Sequence, residues 1–250
     1  MSREAIREKY LPCLLDNMRD SNHNIKLRII GTLVHLLTKS PDHQSRSRIH
    51  HFLNEELAGS KTIYDRKMYF IFCSKICPKI SKKYFKDVFA WNLLRVCDDK
   101  KKDIAILFAK NVVQIRKKLD DISSISKIEN YLMSFKNLFH KDAYIQQICQ
   151  KALNQITTAQ FKQSLKTNVE IQIEKQLQMD EHDMREREKF LNDQDKKREK
   201  ELRESFHLQR RNDLNPLALL SGMPGAEAFV TLDGLTTPNH IQLAGQPQYY

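Results

Sequence analysis

Cysteine and histidine pairs in the first half of the chain are the residues whose spacing first suggests chemistry. Cys73 and Cys77 are separated by three residues, and His50 and His51 are adjacent. No further Cys or His pair at the spacing of a metal site accompanies the two cysteines. Adjacent helical side chains point about 100° apart, which suits joint metal binding by His50 and His51 badly. We therefore predict no metal site, and we predict that Cys73 and Cys77 pack in a core.

The sequence motifs of catalysis and phosphate binding are missing as well. The chain contains no glycine-rich phosphate loop, no nucleophile elbow and no H-E-x-x-H helix. The aromatic residues Phe85, Phe89 and Trp91 are predicted to form core between helices. The sequence thus predicts a protein that is not an enzyme and has no catalytic residues, no metal and no cofactor.

The charge of the chain is positive and unevenly distributed. Its 250 residues include 42 Lys and Arg against 31 Asp and Glu, a net charge of +11. Residues 1–156 hold 29 of the positive and 16 of the negative side chains, whereas residues 157–211 are nearly balanced. A basic block of this kind attracts nucleic acid, an anionic membrane or an acidic protein surface.

Neither membrane insertion nor secretion is predicted. No apolar run approaches the roughly 20 residues of a membrane span, and the N-terminal residues lack the apolar region of a secretory signal. The five cysteines are odd in number and lie within apolar patterns. We therefore expect reduced, buried thiols in a cytoplasmic protein.

Apolar residues recur at helical spacing in four segments that begin about 40 residues apart. An amphipathic helix is predicted before each segment, over residues 4–18, 47–58, 81–96 and 124–138. Eight of the 13 Gly and Pro residues follow residue 211, which leaves the preceding helices unbroken. We predict an all-α fold in which residues 1–157 form an α-solenoid of about four helix pairs, with a non-repeating helical bundle as the alternative. The inward positions of the four segments hold Ile25, Ile29, Leu33 and Leu36 or Leu37; Tyr64, Met68, Phe72 and Ile76; Ile104, Phe108, Val112 and Ile115; and Ile145, Cys149, Leu153 and Ile156.

The first of these units resembles a HEAT repeat. Leu11-Pro12, then Asp20, then Ile25-Lys26 match the family pattern of a proline in the first helix, an aspartate in the turn and Val-Arg opening the second helix. The other units keep the apolar positions but lose the proline. After their opening positions they have Asp65, Ala105 and Gln146 where the family has a basic residue.

A second resemblance covers residues 59–210. It lies in the order of three helical segments, 59–76, 83–99 and 103–119, and in a last helix pair through residues 141–156 that runs directly into a long charged helix. They are similar to the C-terminal part of the serine/threonine-protein phosphatase 4 regulatory subunit 4 family, whose members are much longer. The resemblance implies a non-catalytic subunit that binds a protein phosphatase 4-type catalytic subunit and helps to direct it to substrates. It also implies that this chain is a short form or a fragment without most of the N-terminal repeats.

Residues 158–211 are predicted to form a charged helix, because oppositely charged residues recur four apart and no Gly or Pro interrupts them. Leu177, Met184 and Leu191 are spaced seven apart, like a coiled-coil seam, but their companions Asp180 and Arg187 are charged. Two readings stay open: a solvated single helix, with Ile173 and Leu177 able to dock on the last helix pair, or a weak coiled coil that allows self-association. Residues 212–250 lack periodicity and are predicted to be disordered.

Two classes of function follow from the basic block. In the first, the chain is a scaffold or regulatory subunit that meets acidic surfaces of protein partners along its repeat ridge. In the second, it is a nucleic-acid-binding helical protein, although no aromatic residues are interleaved with its lysines as in known RNA or DNA modules. The residues predicted to bind a protein partner are Lys26, Arg66, Lys67, Lys100, Lys101 and Lys102. The alternative adds Lys75, Lys79, Lys82, Lys83 and Lys86.

Overall fold

The computed structural model of the chain describes residues 3–20, 22–158, 161 and 167–220. Within these residues the secondary structure is helical and no β-strand occurs. The chain divides into two units, Met1–Asp193 and Gln194–Tyr250. Residues 168–193 of the charged helix belong to the first unit, together with residues 3–157.

Eight helices form four consecutive pairs in the described part of residues 3–157. The first pair is α1 (Arg3–Ala5, Ile6–Tyr10 and Leu11–Asp20) with α2 (His23–Lys39). The second is α3 (His43–His51 and Phe52–Leu57) with α4 (Ile63–Ile76). The third is α5 (Lys82–Phe85, Lys86–Ala90 and Trp91–Cys97) with α6 (Lys102–Lys118), and the fourth is α7 (Ile122–Leu138) with α8 (Ala143–Thr157).

A ninth helix, α9 (Asn168–Leu220), is the charged helix, and it continues beyond the predicted end at residue 211. The helix includes Pro216, a residue unfavourable in a helix interior, and the first glycine after its end is Gly222. The rest of the tail predicted to be disordered, residues 221–250, lies outside the described residues.

Three of the four first helices contain a π-helical segment, at Ile6–Tyr10, Phe52–Leu57 and Lys86–Ala90. A π turn holds an extra residue and so rotates the following side chains relative to a regular α-helix. The prediction that Trp91 is core is wrong. Phe85 and Phe89 are fully buried, but Trp91 is two residues after Phe89, about 200° around the helix, and is 72% exposed.

The second helices pack on one another in chain order: α2 on α4, α4 on α6 and α6 on α8. Each also packs against the first helix of its own pair, and one continuous core results. Most predicted inward positions are buried in this core, including Leu33, Phe72, Phe108 and Cys149. Ile25 is an exception, since it is 43% exposed at the N-terminus of α2.

Capping residues fix where the second helices begin. The side chains of Asn22, Thr62 and Asp142 accept hydrogen bonds from the backbone amides three residues later, whereas Lys101, at the start of α6, makes no such bond. The predicted opening position of the second unit, Tyr64, is therefore one residue early. Asp65 takes that place, and a basic residue, Arg66, follows it as Lys26 follows Ile25.

Candidate functional site

The turns inside the four pairs lie along one edge of the first unit, at residues 22, 58–62, 98–101 and 139–142. We call these turns, together with the first turns of α2, α4, α6 and α8, the turn edge. Lys26 stands four residues after the cap of α2 and is only 5% exposed. Its Nζ donates to the carbonyl of Arg19 at 3.1 Å and lies 5.0 Å from the centre of the Tyr64 ring. Lys26 thus ties α2 to the end of α1.

The same position performs the same task in two further pairs. Arg66 donates to the carbonyl of Ser60, and Gln146 Nε2 donates to the carbonyl of Phe139 at 3.2 Å. In the third pair this position is Ala105, which has no polar group. Arg66 and Gln146 thus make in their pairs the contact that Lys26 makes in the first.

Ion pairs then connect each turn to the next. Lys26 Nζ lies 3.9 Å from Asp65 Oδ1, and Arg66 pairs with Asp99. The pairs continue with Lys67 Nζ–Asp103 Oδ2 at 2.9 Å and Lys102 Nζ–Asp142 Oδ2 at 2.6 Å. Lys102, together with the capping hydrogen bond from Ile145, lowers the pKa of Asp142. Four of the six predicted partner-binding residues therefore hold neighbouring pairs together.

The two remaining residues, Lys100 and Lys101, lie in the third turn and point their charge to solvent. Both are exposed and form no ion pair within the described residues. Lys100 has a φ of 50°, a left-handed conformation that is uncommon for a residue with a side chain. Lys101 precedes α6, where its positive charge opposes the positive end of the helix dipole. The third turn therefore carries two exposed lysines that are not engaged by any neighbouring aspartate among those the structure describes.

The opposite edge consists of the connections between pairs, at residues 40–42, 77–81 and 119–121, with the helix ends beside them; we call it the junction edge. Residues 168–193 of α9, the strap, lie along it. Glu170 pairs with Lys117, and Glu174 accepts from the Lys82 amide at 2.6 Å. At the other end Asn192 Oδ1 accepts from Arg3 Nη1 at 3.0 Å. The strap therefore runs from the third pair back to the first.

The middle of the strap makes the strongest polar contacts. Glu181 accepts hydrogen bonds from both the amide and the hydroxyl of Ser81, at 2.7 and 2.8 Å. Glu188 Oε2 lies 2.6 Å from Arg46 Nη2 in a buried ion pair. Glu181 thus meets the N-terminus of α5, which Ser81 Oγ also caps by accepting from the Tyr84 amide, and Glu188 meets a buried guanidinium; both are favourable partners for an anion.

One stripe of the strap faces the junction edge and is less exposed than its flanks; it contains Glu170, Glu174, Leu177, Glu181, Met184, Glu188 and Leu191. Leu177, Met184 and Leu191 therefore do pack on one face, as their seven-residue spacing suggests. The other residues of that face are glutamates, and not Asp180 and Arg187. The prediction of a solvated single helix is wrong for the strap, because the helix pairs themselves are its partner. Ile173 is exposed, and Leu177 lies beside residues of the first and second pairs rather than the last.

The lysines of the nucleic-acid alternative are largely engaged at the junctions. Lys82 and Lys86 both pair with Asp120, at 3.1 and 3.4 Å, and Lys83 pairs with Asp87 at 3.3 Å. Lys75 Nζ donates to the Leu27 carbonyl at 3.5 Å. Lys79 is exposed and has no ion pair among the described residues.

Among the described residues, no hydrogen bond joins a cysteine to a histidine. Cys73 and Cys77 are buried as predicted, and burial raises the pKa of Cys77 to about 12, whereas Cys13 is exposed, against prediction. His50 is held by the Tyr84 hydroxyl. Across the described ranges, three or more potential metal ligands nowhere come together. Nor does any helix among the described residues have the length and apolar character to cross a membrane.

The strap contacts were not anticipated, although the sequence contains a signal for them in Glu174, Glu181 and Glu188, spaced seven apart beside the predicted seam. Comparison of the chain with protein-family models, with curated proteins and with solved structures gives no match.

Proposed function

We propose that the chain is a non-catalytic scaffold in which four HEAT-like pairs form a short α-solenoid that binds protein partners in the cytoplasm. The observation that carries the proposal is the series of ion pairs along the turn edge, from Lys26–Asp65 to Lys102–Asp142. Because these pairs connect every turn to the next, they hold the turn edge as one extended surface. Concave or ridged surfaces built in this way are what repeat proteins use to bind other proteins.

The partner class follows from the exposed charge and from the resemblance. Lys100 and Lys101 present positive charge on this edge, so the partner surface is acidic. The resemblance to the protein phosphatase 4 regulatory subunit 4 family points to a protein phosphatase 4-type catalytic subunit or its substrates. Lys82, Lys83 and Lys86 are paired with neighbouring aspartates, as are four residues of the turn edge, so the choice of a protein partner rests on Lys100, Lys101 and the resemblance.

Binding of the full chain to a purified protein phosphatase 4-type catalytic subunit tests the proposal by biolayer interferometry. At about 150 mM salt, we expect the K100E/K101E variant to bind at least tenfold more weakly than the wild type. The matched control, K127E/K151E, changes two exposed lysines outside the turns and is expected to bind normally.

Two results would contradict the proposal. If the wild-type chain does not bind, the phosphatase catalytic subunit is not its partner. If both variants lose affinity equally, the turn edge is not the binding site. A gel-shift series with oligonucleotides addresses the alternative, since steeply salt-dependent binding retained at physiological salt would favour nucleic acid.

A further inference from the structure

The junction edge has the chemistry of an anion-binding groove, separate from the turn edge of the proposed function. Arg46 is only 7% exposed, and its Nη1 donates to the Ser40 carbonyl at 2.7 Å. Lys118 is also buried, and its Nζ donates to the Ile80 carbonyl at 2.6 Å. Both cations are held in place by the connections between pairs, so their position does not depend on the strap alone.

The strap supplies carboxylates at a spacing that fits this edge. Glu174, Glu181 and Glu188 are seven residues apart, which is about 10.5 Å along an α-helix. Packed helices lie about 8–10 Å apart, and the three glutamates together span the distance from the start of α5, which Glu174 and Glu181 both reach, to α3, which Glu188 reaches. Glu174 meets Lys118 and the Lys82 amide, Glu181 meets Ser81, and Glu188 meets Arg46.

Charge along α9 is segregated in keeping with this contact. Residues 168–193 contain eight acidic and four basic side chains, whereas residues 194–211 contain four acidic and seven basic ones. The acidic part is the part that lies on the basic helix pairs. Electrostatic complementarity of this kind selects the segment that docks and sets its register.

The strap is not close-packed against the edge. Cavities of about 340 and 380 Å³ remain beside it, the first lined by Lys117 and Glu170 and the second by Leu177 and Glu181. Glu188 Oε1 is buried and has no hydrogen-bond partner in the described part of the chain. These cavities open to solvent, and an unsatisfied buried carboxylate oxygen is unfavourable, so the strap is held less firmly than a close-packed helix would be.

We propose that the junction edge is a docking site for an acidic helix of a partner protein, with a glutamate every seven residues and a Leu or Met three residues after each. The strap is the internal occupant of this site, and the partner helix binds by displacing it. Charge complementarity and the seven-residue match between strap and edge define the partner chemistry.

A labelled synthetic peptide with the sequence of residues 168–193 serves as the probe, with the full chain as receptor. In the E181K/E188K variant the strap's own glutamates are lost, so we expect the peptide to bind at least tenfold more tightly than it binds the wild type. The matched control is D183K/E186K, which reverses two exposed charges on the same helix. It is expected to behave like the wild type in fluorescence anisotropy.

Two additions make the result specific to the junction edge. We call E181K/E188K the open variant, and adding R46E to it is expected to lower peptide affinity at least tenfold. A peptide with its glutamates moved to a six-residue spacing is expected to bind equally weakly to all variants. Equal peptide binding by E181K/E188K and D183K/E186K overturns the proposal, as does peptide binding that R46E leaves unchanged.

Hydrogen exchange provides a second readout, and circular dichroism checks that each variant is folded. The amides of Ser81 and Lys82 should exchange at least tenfold faster in the open variant and become protected again when the peptide is added. If E181K/E188K fails to fold, the milder E181Q/E188Q takes its place in the same measurements. Unchanged exchange of both amides in a folded open variant would show that the strap does not cover them, against the proposal.

Discussion

His50 Nε2 lies 2.8 Å from the Tyr84 hydroxyl and so connects the first helices of the second and third pairs. Its ring also meets the edge of Phe89, and the charged or titratable groups nearest to it include Arg46 and His43. Burial is the main cause that lowers the pKa of His50 to about 4, with Arg46 and then His43 adding to it.

This lowered pKa predicts a loss of stability in mild acid. The unfolded chain protonates His50 near pH 6.5, whereas the folded chain resists protonation until about pH 4. The stability that neutral His50 contributes is therefore present above pH 6.5 and is lost as the pH falls to 4, by about 3 kcal/mol. Urea unfolding at pH 7 and pH 4.5 measures it. The pH dependence of the free energy of unfolding should be weaker in H50Q than in the wild type. It should be unchanged in H140Q, because His140 is exposed. An unchanged pH dependence in H50Q would refute the assignment to His50.

Arg66 and Lys67 are neighbours with different expected contributions. The Arg66 side chain is mostly buried and holds both the Ser60 carbonyl and Asp99, so R66A should lower the free energy of unfolding by about 1.5–3 kcal/mol. The pair of Lys67 with Asp103 is more exposed, and K67A should cost less than about 1 kcal/mol. Urea unfolding of both variants compares them. Equal losses would mean that the contacts of Arg66 add nothing beyond a surface pair.

Two glycines should respond to alanine in opposite directions. Gly31 is exposed within α2, and a Cβ there meets nothing within 4 Å, so G31A should stabilise the protein by about 0.5–1 kcal/mol. A Cβ on Gly59 would lie 2.4 Å from the Glu55 carbonyl oxygen at the end of α3. G59A should therefore be destabilising, by about 1 kcal/mol or more. Thermal unfolding of the pair tests the prediction, which fails if both shifts have the same sign.

Helix α6 lacks the cap that α2, α4 and α8 possess. Replacing Lys101 by Asp supplies an acceptor for the free amides and a charge that suits the helix dipole, so K101D should stabilise the fold by about 0.5–1 kcal/mol. Removing the existing cap in T62A should cost about 1 kcal/mol. Chemical denaturation of both variants provides the comparison. If K101D is no more stable than the wild type, Lys101 does not destabilise the N-terminus of α6.

Much of the fold could be predicted because the second helices are regular. Their buried residues repeat every three or four positions, and that pattern correctly located Leu33, Phe72 and Phe108. Tyr64 was aligned with Ile25 because it is apolar and lies four residues before Met68, whereas the helix caps align Asp65 with Ile25. Only the cap at Thr62 fixes the register, and a cap is a hydrogen bond rather than a pattern of hydrophobicity.

The remainder depended on geometry that the local sequence does not contain. Trp91 was misplaced because it was grouped with Phe85 and Phe89 by aromatic type, although it lies about 200° around the helix from Phe89. Four of the predicted partner-binding residues were recognised as a set, yet their ion pairs with Asp65, Asp99, Asp103 and Asp142 join residues 33 to 40 apart. The glutamates of the strap resemble ordinary solvent-facing charges until the cations opposite them are known.

The course of the strap along the junction edge also determines the order in which the first unit can fold during synthesis. The contacts of the turn edge close short loops, such as the 33 residues between Arg66 and Asp99. The strap closes far longer ones, with 142 residues between Arg46 and Glu188 and 189 between Arg3 and Asn192. Loop closure becomes less favourable with length, and the strap leaves the ribosome after all four pairs. A newly made chain therefore passes through an interval in which its helix pairs are assembled and its junction edge is still uncovered.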